Sequence, residues 1–213
     1  SDGQYNYRRW FEQEAGRRVA LYTKRELPKG QTWALPLPLS YPAFRAQQPD
    51  SFRAGVIYHA IRHADYIRGA RERIADLLKR RNGDKADVQL YDTNEQKMQP
   101  EFYRRLLRRA LVAVSYNGPR EVWDCNRHWE ALSAGCCLVV QRPQNEIPNA
   151  PIDGVHWFEV DSPVELAEKA TELLQNEPQH AMYVAEAGFQ HFMRYHTSEA
   201  RAQYVLDELR KVG

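Results

Sequence analysis

The sequence predicts an α/β fold in which helices cover both faces of a parallel sheet. Short apolar runs bounded by turn residues alternate with longer segments of helical periodicity, which is the pattern of βαβ units. The runs show little polar alternation, so they indicate strands buried on both faces. With 213 residues, the chain can bury a sizeable core without disulfides or metal. The predicted strands of this sheet cover residues 55–59, 88–91, 111–115, 136–140 and 155–160.

Helices are predicted between these strands from apolar spacing and from end signals. One apolar stripe, which ends at Asn82-Gly83, consists of Ile67, Ala70, Ile74, Leu77 and Leu78. Pro100 opens a short helix. Ser162 is predicted to cap another, with Pro163 at its first position and Glu165 in its first turn. Pro178 begins a helix to Tyr195, and Thr197 or Ser198 caps a last one.

The central unit of the predicted sheet runs from Leu111 to Gln141 as strand, polar turn, helix and strand. Asp124 or Asn126 is predicted to cap its helix, and Gly135 to end it. Apolar residues of that helix, Trp129, Ala131 and Leu132, are expected to face the sheet. The carboxyl end of the strand and the amino end of the helix meet at one tip, where open α/β sheets bind ligands.

Residues 1–40 do not read as the start of such a sheet. They contain an aromatic-rich opening, a predicted strand at residues 18–23, and an extended segment at residues 33–39 with Pro36 and Pro38. This segment is either a crossing between two domains or an edge segment packed on the main sheet. The prediction is therefore a remnant of, or link to, another domain in residues 1–40 and a ligand-binding domain in residues 41–213.

The composition narrows the class of protein. Thirty basic and 28 acidic side chains nearly cancel, so nucleic-acid binding is not indicated. No apolar run reaches the length of a membrane span, which favours a soluble, cytoplasmic protein. Adjacent Cys136 and Cys137 are expected to be reduced core thiols, and a catalytic thiol at Cys125 is the lesser alternative. His59 and His63, four residues apart, resemble a helical metal-binding pair, but no third ligand is spaced to complete a site, so no metal is predicted.

The segment Asn126–Val140 (NRHWEALSAGCCLVV) resembles the donor-site signature of GT-B-fold glycosyltransferases of the group 1 superfamily, and is similar to their spore-maturation and exostosin-like branches. The resemblance implies a Rossmann-like carboxyl-terminal domain, the donor-binding half of a GT-B fold. It implies that Glu130 binds the ribose of a nucleotide sugar and that Asn126 and Arg127 face its phosphates. An acidic residue usually lies eight positions before that glutamate. This position is Val122 here, and the neighbouring Glu121 is the candidate for contacting the sugar.

Other positions are assigned by where the strands end. His59, Arg62 and His63, at and after the first strand, are expected to neutralise the diphosphate in place of a divalent metal, with ordinary surface residues as the alternative. Asp92 and Thr93 follow the second strand, where the base is expected. Tyr91 or Tyr116 is a candidate for stacking on it.

The resemblance implies transfer of a hexose or related sugar from a nucleotide-diphosphate donor to an unknown acceptor. No cofactor is expected besides the donor substrate. No catalytic base is assigned, because in this family it mostly comes from an acceptor-side domain, so the isolated chain is expected to need such a domain or subunit for turnover. Two alternatives remain, a non-catalytic nucleotide-sugar-binding subunit and a protein-interaction module. A nucleotide-sugar epimerase is more distant.

Overall fold

A computed structural model of the chain describes residues 23–24, 29–30, 34–37, 41, 54–61, 65–93, 98–118 and 124–212. A short 3₁₀ turn, Gly83–Lys85, separates the first helix from the strand after it. The strands and helices in chain order are β1 (Thr23–Lys24), β2 (Leu35–Pro36), β3 (Val56–Ile61), α1 (Asp65–Asn82), β4 (Ala86–Tyr91), α2 (Pro100–Arg109), β5 (Val112–Ser115), α3 (Asn126–Ser133), β6 (Cys137–Gln141), β7 (Phe158–Val160), α4 (Pro163–Gln175), α5 (Pro178–Tyr195) and α6 (Ser198–Val212).

Five of the strands form one parallel sheet in the order β4-β3-β5-β6-β7. Every residue of β3, β5 and β6 is buried, as their continuous apolar runs predict. One core cluster joins α1 and α4 to one face of the sheet, through Ile74, Leu78, Leu166 and Leu173 among others. A second joins α3, α5 and α2 to the opposite face, through Trp129, Leu132, Phe192 and Leu107. The predicted α/β fold is therefore confirmed.

Cys136 and Cys137 illustrate how the sheet divides the core. Both are fully buried thiols outside any disulfide, and they belong to the two different clusters on opposite faces. Successive side chains of an extended chain point to opposite sides, so adjacent cysteines separate in this way. The prediction that both are core thiols is confirmed.

Several helix ends also match the sequence signals. The Ser162 Oγ accepts a hydrogen bond from the Glu165 amide (3.2 Å), and the Glu165 carboxylate accepts one from the Ser162 amide (3.1 Å), which completes a capping box. Thr197 Oγ1 accepts from the Ala200 amide (3.1 Å) and so caps α6. Gly135 ends α3 with a φ of 72°, and the Cys136 amide reaches back to the Ala131 carbonyl (3.0 Å).

Three predicted details were wrong. The residue before α3 is Cys125, and Asn126 is its first helical residue. The Asp124 carboxylate does not cap this helix, because it accepts hydrogen bonds from the Trp129 indole and the Asn145 amide instead. β7 begins at Phe158, since residues 152–156 form a turn. β3 continues to Ile61, which places His59 within the strand and not in the loop after it.

The amino-terminal segment is described at few positions. β1 and β2 pair in parallel as a separate two-stranded sheet. Both interpretations of the extended segment, a crossing between two domains and an edge segment packed on the main sheet, stay predictions. The aromatic opening and the rest of residues 1–40 lie outside the described ranges, so their role as a remnant of another domain stays a prediction. Within the described ranges, no helix combines the length and the hydropathy that crossing a membrane requires.

At Gly188, α5 packs closely against the loop before β7. A Cβ at this position would overlap the carbonyl oxygen of His156 and lie 3.0 Å from Leu132 Cδ2. We expect Gly188→Ala to lower the free energy of unfolding by about 1–3 kcal/mol through overpacking, measured by urea denaturation. Gly69→Ala, on α1 with nothing within 4 Å of the new Cβ, is the matched control. It should stabilise the chain by up to about 1 kcal/mol through helix propensity, and equal losses in both variants would contradict the packing argument.

Candidate functional site

The main sheet has a topological switch point between β3 and β5. From β3 the chain runs outward to β4 and then returns across β3 to form β5 on its other side. The loops that follow β3 and β5 diverge there, and such a crevice is where open α/β sheets bind ligands. A cavity of about 380 Å³ lies at this point, a size suited to a small molecule. Its lining residues are His59, Tyr91, Met98, Pro100, Tyr103, Asn117, Cys125, Asn126, Arg127 and Glu130.

A larger cavity, of about 830 Å³, lies beside β7 and α4. Carboxylates dominate its lining: Asp153, Glu159, Asp161, Glu165, Glu168 and Glu172. Such a lining would repel a phosphorylated ligand. The smaller cavity at the switch point is therefore the candidate site.

The amino end of α3 supplies the positive potential of this cavity. The backbone amides of Asn126 and Arg127 make no hydrogen bond within the described part of the chain, as expected for the first turn of a helix. The Arg127 guanidinium likewise has neither an ion pair nor a hydrogen bond among the described residues. Arg127 is therefore not paired with Asp124, and Glu121, the other acidic side chain nearby in the sequence, lies outside the described residues. The two amides, the helix dipole and the guanidinium, none of them bonded to another described residue, together favour an anion.

A buried network holds this helix end in place. The Asp124 carboxylate, 3% exposed, accepts hydrogen bonds from Trp129 Nε1 (3.1 Å) and Asn145 Nδ2 (2.9 Å). The Asp124 amide in turn donates to Asn145 Oδ1 (3.0 Å). On the far side, the Trp129 ring stacks on His196 with centroids 4.3 Å apart. The start of α3 is therefore tied to the loop after β6 and to the end of α5.

Glu130 lies one turn into α3 and lines the same cavity as Arg127. Its side chain is half-buried. A carboxylate at this depth offers acceptor oxygens to a ligand whose anionic group sits at the helix start. The structure thus brings Asn126, Arg127 and Glu130 together, as the sequence predicts.

His59 forms part of the cavity wall rather than a loop. Its Nε2 is 2.9 Å from Asp87 Oδ1, and its Nδ1 is 3.2 Å from the Tyr91 hydroxyl. Its ring packs against Tyr103 with centroids 5.4 Å apart. Both ring nitrogens of His59 are thus occupied by hydrogen bonds, and the bond to the Tyr91 hydroxyl fixes the position of that side chain. A contact of His59 with phosphate stays a prediction.

Cys125 places a thiol in the cavity beside Arg127. Its Sγ is 3.5 Å from the Ser115 hydroxyl, and its backbone amide donates to His128 Nδ1 (3.4 Å). Burial alone would raise the pKa of Cys125, but the charge of His128 and a hydrogen bond with it, the charge of Arg127 and the Ser115 hydroxyl together lower this pKa to about 6. The positive potential that lowers the pKa of this thiol would also attract an anionic ligand.

The remaining predicted site residues are not brought into this cavity. Asp92 and Thr93 are exposed after β4 and do not line it. The Tyr116 ring is buried in the core on the α1 and α4 side of the sheet, so of the two tyrosines proposed to stack on a base, Tyr91 is the one that lines the cavity. Arg62, His63 and Glu121 lie outside the described residues, and their roles stay predictions.

Two residues that the sequence analysis missed shape the loop after β5. Gln141, at the end of β6, accepts hydrogen bonds from the amides of Asn117 (3.2 Å) and Gly118 (2.9 Å) and donates to the Gly118 carbonyl (3.1 Å). Arg71 of α1 donates to the carbonyls of Ile61, the last residue of β3, and of Tyr116, the first residue after β5. Neither position carries a local sequence signal, because their partners are distant in the chain.

Three histidines meet where α5 joins α6. His156 stacks on His191 with centroids 4.1 Å apart, and His191 and His196 both bond to the Asn149 carbonyl through Nε2 (2.8 and 3.0 Å). Burial, with smaller contributions from neighbouring charges, lowers the pKa of His191. Burial, the charge of Arg201 and that of His191 lower the pKa of His196 to about 2.

This cluster predicts acid sensitivity. Below about pH 6.5 an unfolded histidine binds a proton that folded His196 does not. The free energy of unfolding should therefore fall as the pH drops from about 6.5, by about 1.4 kcal/mol per pH unit from His196, and should not change above that pH on account of this residue. Urea denaturation at pH 7.5 and 5.5 measures the effect, and His196→Gln should reduce it. An equal pH dependence in that variant would contradict this assignment.

The fold is a parallel α/β domain with a cavity at the switch point of its sheet. A sequence profile of the glycosyl transferase-like family matches residues 62–207, so the chain belongs to that family. No curated protein sequence matches the chain closely enough to be called a relative.

Solved structures share the fold at low sequence identity. A mutant of S. aureus TarM in complex with fondaparinux, alpha-GlcNAc-glycerol and UDP has a TM-score of 0.61 at 11% identity, over 92% of this chain and 45% of that one. The pneumococcal O-GlcNAc transferase GtfA in complex with UDP and GlcNAc has a TM-score of 0.56 at 9% identity, over 100% of this chain and 44% of that one. HepE from Anabaena in complex with UDP and glucose has a TM-score of 0.54 at 11% identity, over 74% of this chain and 48% of that one. The chain thus spans less than half the length of each of these proteins.

Proposed function

We propose that the cavity binds the nucleoside-diphosphate part of a nucleotide sugar, and that the chain is the donor-binding part of a hexosyl-type glycosyltransferase. The observation that carries this proposal is the grouping of the α3 amino end, Arg127 and Glu130 around one cavity at the switch point. The family supports it, as do neighbours whose structures contain UDP. The spore-maturation and exostosin-like branches remain the proposed subgroup.

The donor would lie across the cavity in one direction. Its diphosphate would meet the amides of Asn126 and Arg127 and the Arg127 guanidinium, which can bond two phosphate oxygens at once. Its ribose hydroxyls would donate to Glu130, one turn further along α3. Its base would extend toward the aromatic wall at Tyr91 and Tyr103, where stacking is available.

In the reaction, the sugar would leave the diphosphate as the acceptor oxygen attacks its anomeric carbon. The negative charge that develops on the departing diphosphate is then stabilised by Arg127 and the α3 dipole, without a requirement for a divalent metal. Arg62 and His63, which follow β3 in the sequence, are proposed to add positive charge there. The acceptor and any general base would come from an acceptor-side domain or partner chain, and a binding subunit that works with such a partner is the alternative form of this proposal.

A ligand pair tests the role of Glu130. We expect the chain to bind UDP, GDP or ADP, whichever fits the aromatic wall, about tenfold more tightly than its 2′-deoxy analogue, because a hydrogen bond to a carboxylate contributes about 1.5 kcal/mol. Glu130→Ala should weaken binding of the ribose form and abolish this preference, measured by calorimetry. Glu186→Ala, an exposed glutamate on α5, is the control. A preference that persists in Glu130→Ala would contradict the ribose role.

A further inference from the structure

We propose that Asp87 and His59 are positioning residues for Tyr91, so that side chains of β3 and the edge strand β4 fix the aromatic wall on which the nucleobase stacks. The inference rests on the donor-binding function proposed above. It adds Asp87, which is not among the residues that line the cavity, and it gives His59 a role other than the predicted contact with phosphate.

The pairing of β3 with β4 brings these side chains together. His59 is opposite Gln89 in the register of the two strands. Asp87, Gln89 and Tyr91 occupy alternate positions of β4, so they project from the same face of the sheet. Asp87 and Tyr91 therefore lie on either side of His59 along the strand, and the imidazole between them is only 3% exposed.

Hydrogen bonds connect the three side chains in series. His59 Nε2 is 2.9 Å from Asp87 Oδ1, and His59 Nδ1 is 3.2 Å from the Tyr91 hydroxyl. An ionised carboxylate can only accept, so Asp87 places the proton of a neutral imidazole on Nε2 and leaves Nδ1 as an acceptor. The Tyr91 hydroxyl is then the donor to Nδ1. The direction of donation runs from Tyr91 through His59 to Asp87.

Gln89 shares the Tyr91 hydroxyl with His59. Its Oε1 is 3.1 Å from that hydroxyl, which has one proton for the two acceptors. Gln89 is exposed, so water can replace its bond, whereas Nδ1 of the buried His59 has no other donor among the described residues. An unpaired buried acceptor costs more than a lost bond at the surface, so the proton belongs to His59. The amide NH₂ of Gln89 can turn to the Tyr91 oxygen instead.

The His59 ring also connects the two tyrosines of the cavity wall. Its centroid lies 6.0 Å from that of Tyr91, with the ring planes at 71°, and 5.4 Å from that of Tyr103. All three rings line the cavity. Tyr91 is half-buried on an edge strand, so without the bond to His59 its ring can adopt other rotamers. Fixing the ring beforehand reduces the entropy lost when a flat base packs against it.

Replacing Asp87 tests the network at a residue outside the cavity lining, with a side chain that is 38% exposed. The quantity to measure is the affinity for the best-bound of UDP, GDP and ADP divided by the affinity for inorganic pyrophosphate, which has no base. Asp87→Ala removes a negative charge near the phosphates, but this acts on both ligands and cancels in the ratio. We expect the ratio to fall about fivefold, through loss of one hydrogen bond's orienting effect. Asp84→Ala, at an exposed aspartate just before β4, is the matched control and should leave the ratio unchanged.

Variants of the other two residues test the series. Tyr91→Phe keeps the ring without its hydroxyl and should lower the same ratio about fivefold, with no further loss when it is combined with Asp87→Ala. Asp87→Asn keeps an acceptor oxygen and should restore most of the ratio. Tyr183→Phe, at a tyrosine that is 70% exposed, is the control for Tyr91→Phe. An unchanged ratio in Asp87→Ala, or losses that add in the double variant, would overturn the positioning role. Equal losses of affinity for nucleotide and pyrophosphate in His59→Phe would place His59 at the phosphates and overturn it as well.

The hydrogen bonds are measured without nucleotide by ¹⁵N NMR of the His59 ring at about pH 8. The unmodified chain should show a protonated Nε2 and an Nδ1 that accepts a hydrogen bond. Asp87→Ala should shift mainly the Nε2 signal, and Tyr91→Phe mainly the Nδ1 signal. A protonated Nδ1, or signals that neither variant shifts, would overturn the network. Absence of nucleotide binding in the unmodified chain would contradict the proposed function and the positioning role with it, whereas these spectra would still decide the network.

Discussion

Replacing Asp124 with alanine is expected to lower the free energy of unfolding by about 3–5 kcal/mol. The Asp124 carboxylate is buried and accepts hydrogen bonds from Trp129 Nε1 and Asn145 Nδ2. Its removal leaves both buried donors without these bonds. Its charge also favours the charged form of Arg201, whose pKa burial lowers to about 10. Urea denaturation monitored by tryptophan fluorescence measures the loss, since Trp129 belongs to the affected network.

The matched control is Asp161→Ala. Asp161 accepts a hydrogen bond from Arg142 Nε (3.0 Å), but its side chain is 72% exposed, so its loss should change stability by less than about 1 kcal/mol. Asp124→Asn retains one acceptor oxygen, so its loss in free energy of unfolding should lie between those of Asp124→Ala and Asp161→Ala. Similar small losses for Asp124→Ala and Asp161→Ala would show that the network does not secure the start of α3.

Replacing Arg127 with alanine is expected to weaken nucleoside-diphosphate binding about thirtyfold, which corresponds to about 2 kcal/mol for a charge-assisted contact with phosphate. Arg127 lines the cavity and makes no ion pair within the described residues, so nothing in that part of the chain competes for its charge. Stability should change little, because no contact of this kind is lost on substitution. Arg127→Lys should recover part of the affinity as a point charge that lacks the two-pronged geometry.

Arg80→Ala is the control for this prediction, since Arg80 is an exposed arginine on α1 that pairs with Asp76 (2.7 Å). It should leave nucleotide affinity unchanged. The dependence of affinity on salt offers a second readout: affinity in the unmodified chain should fall with rising salt more steeply than in Arg127→Ala. Equal salt dependence in both would place the diphosphate away from Arg127.

Local signals explain which parts of the fold could be predicted. The capping box at Ser162 and Glu165, the αL glycine at Gly135 and the cap at Thr197 each involve residues within a few positions of one another, so the sequence carries the whole interaction. The buried strands were also predictable, because a run without polar alternation is compatible with few other environments. The grouping of Arg127 and Glu130 followed from the resemblance and from the helix between them.

Long-range side-chain contacts explain the rest. Aspartate is a residue type preferred at helix caps, but the carboxylate of Asp124 instead bonds to Asn145, which lies 21 positions later in the chain. Gln141 and Arg71 contact partners that lie near them only because the sheet brings distant segments together. A periodic pattern contains no information on such pairs. The position of His59 was misjudged for a related reason, since the strand continues two residues beyond it through pairing with β4.

Binding of a nucleoside diphosphate in the cavity between β3 and β5 is tested by calorimetric titration of the chain with UDP, GDP, ADP and TDP, without added metal. We expect saturable binding of one nucleotide at micromolar concentration, competition by the corresponding nucleotide sugar, and loss of both in an Arg127→Ala, Glu130→Ala double variant. Absence of heat with all four nucleotides, or binding that the double variant retains, would contradict it.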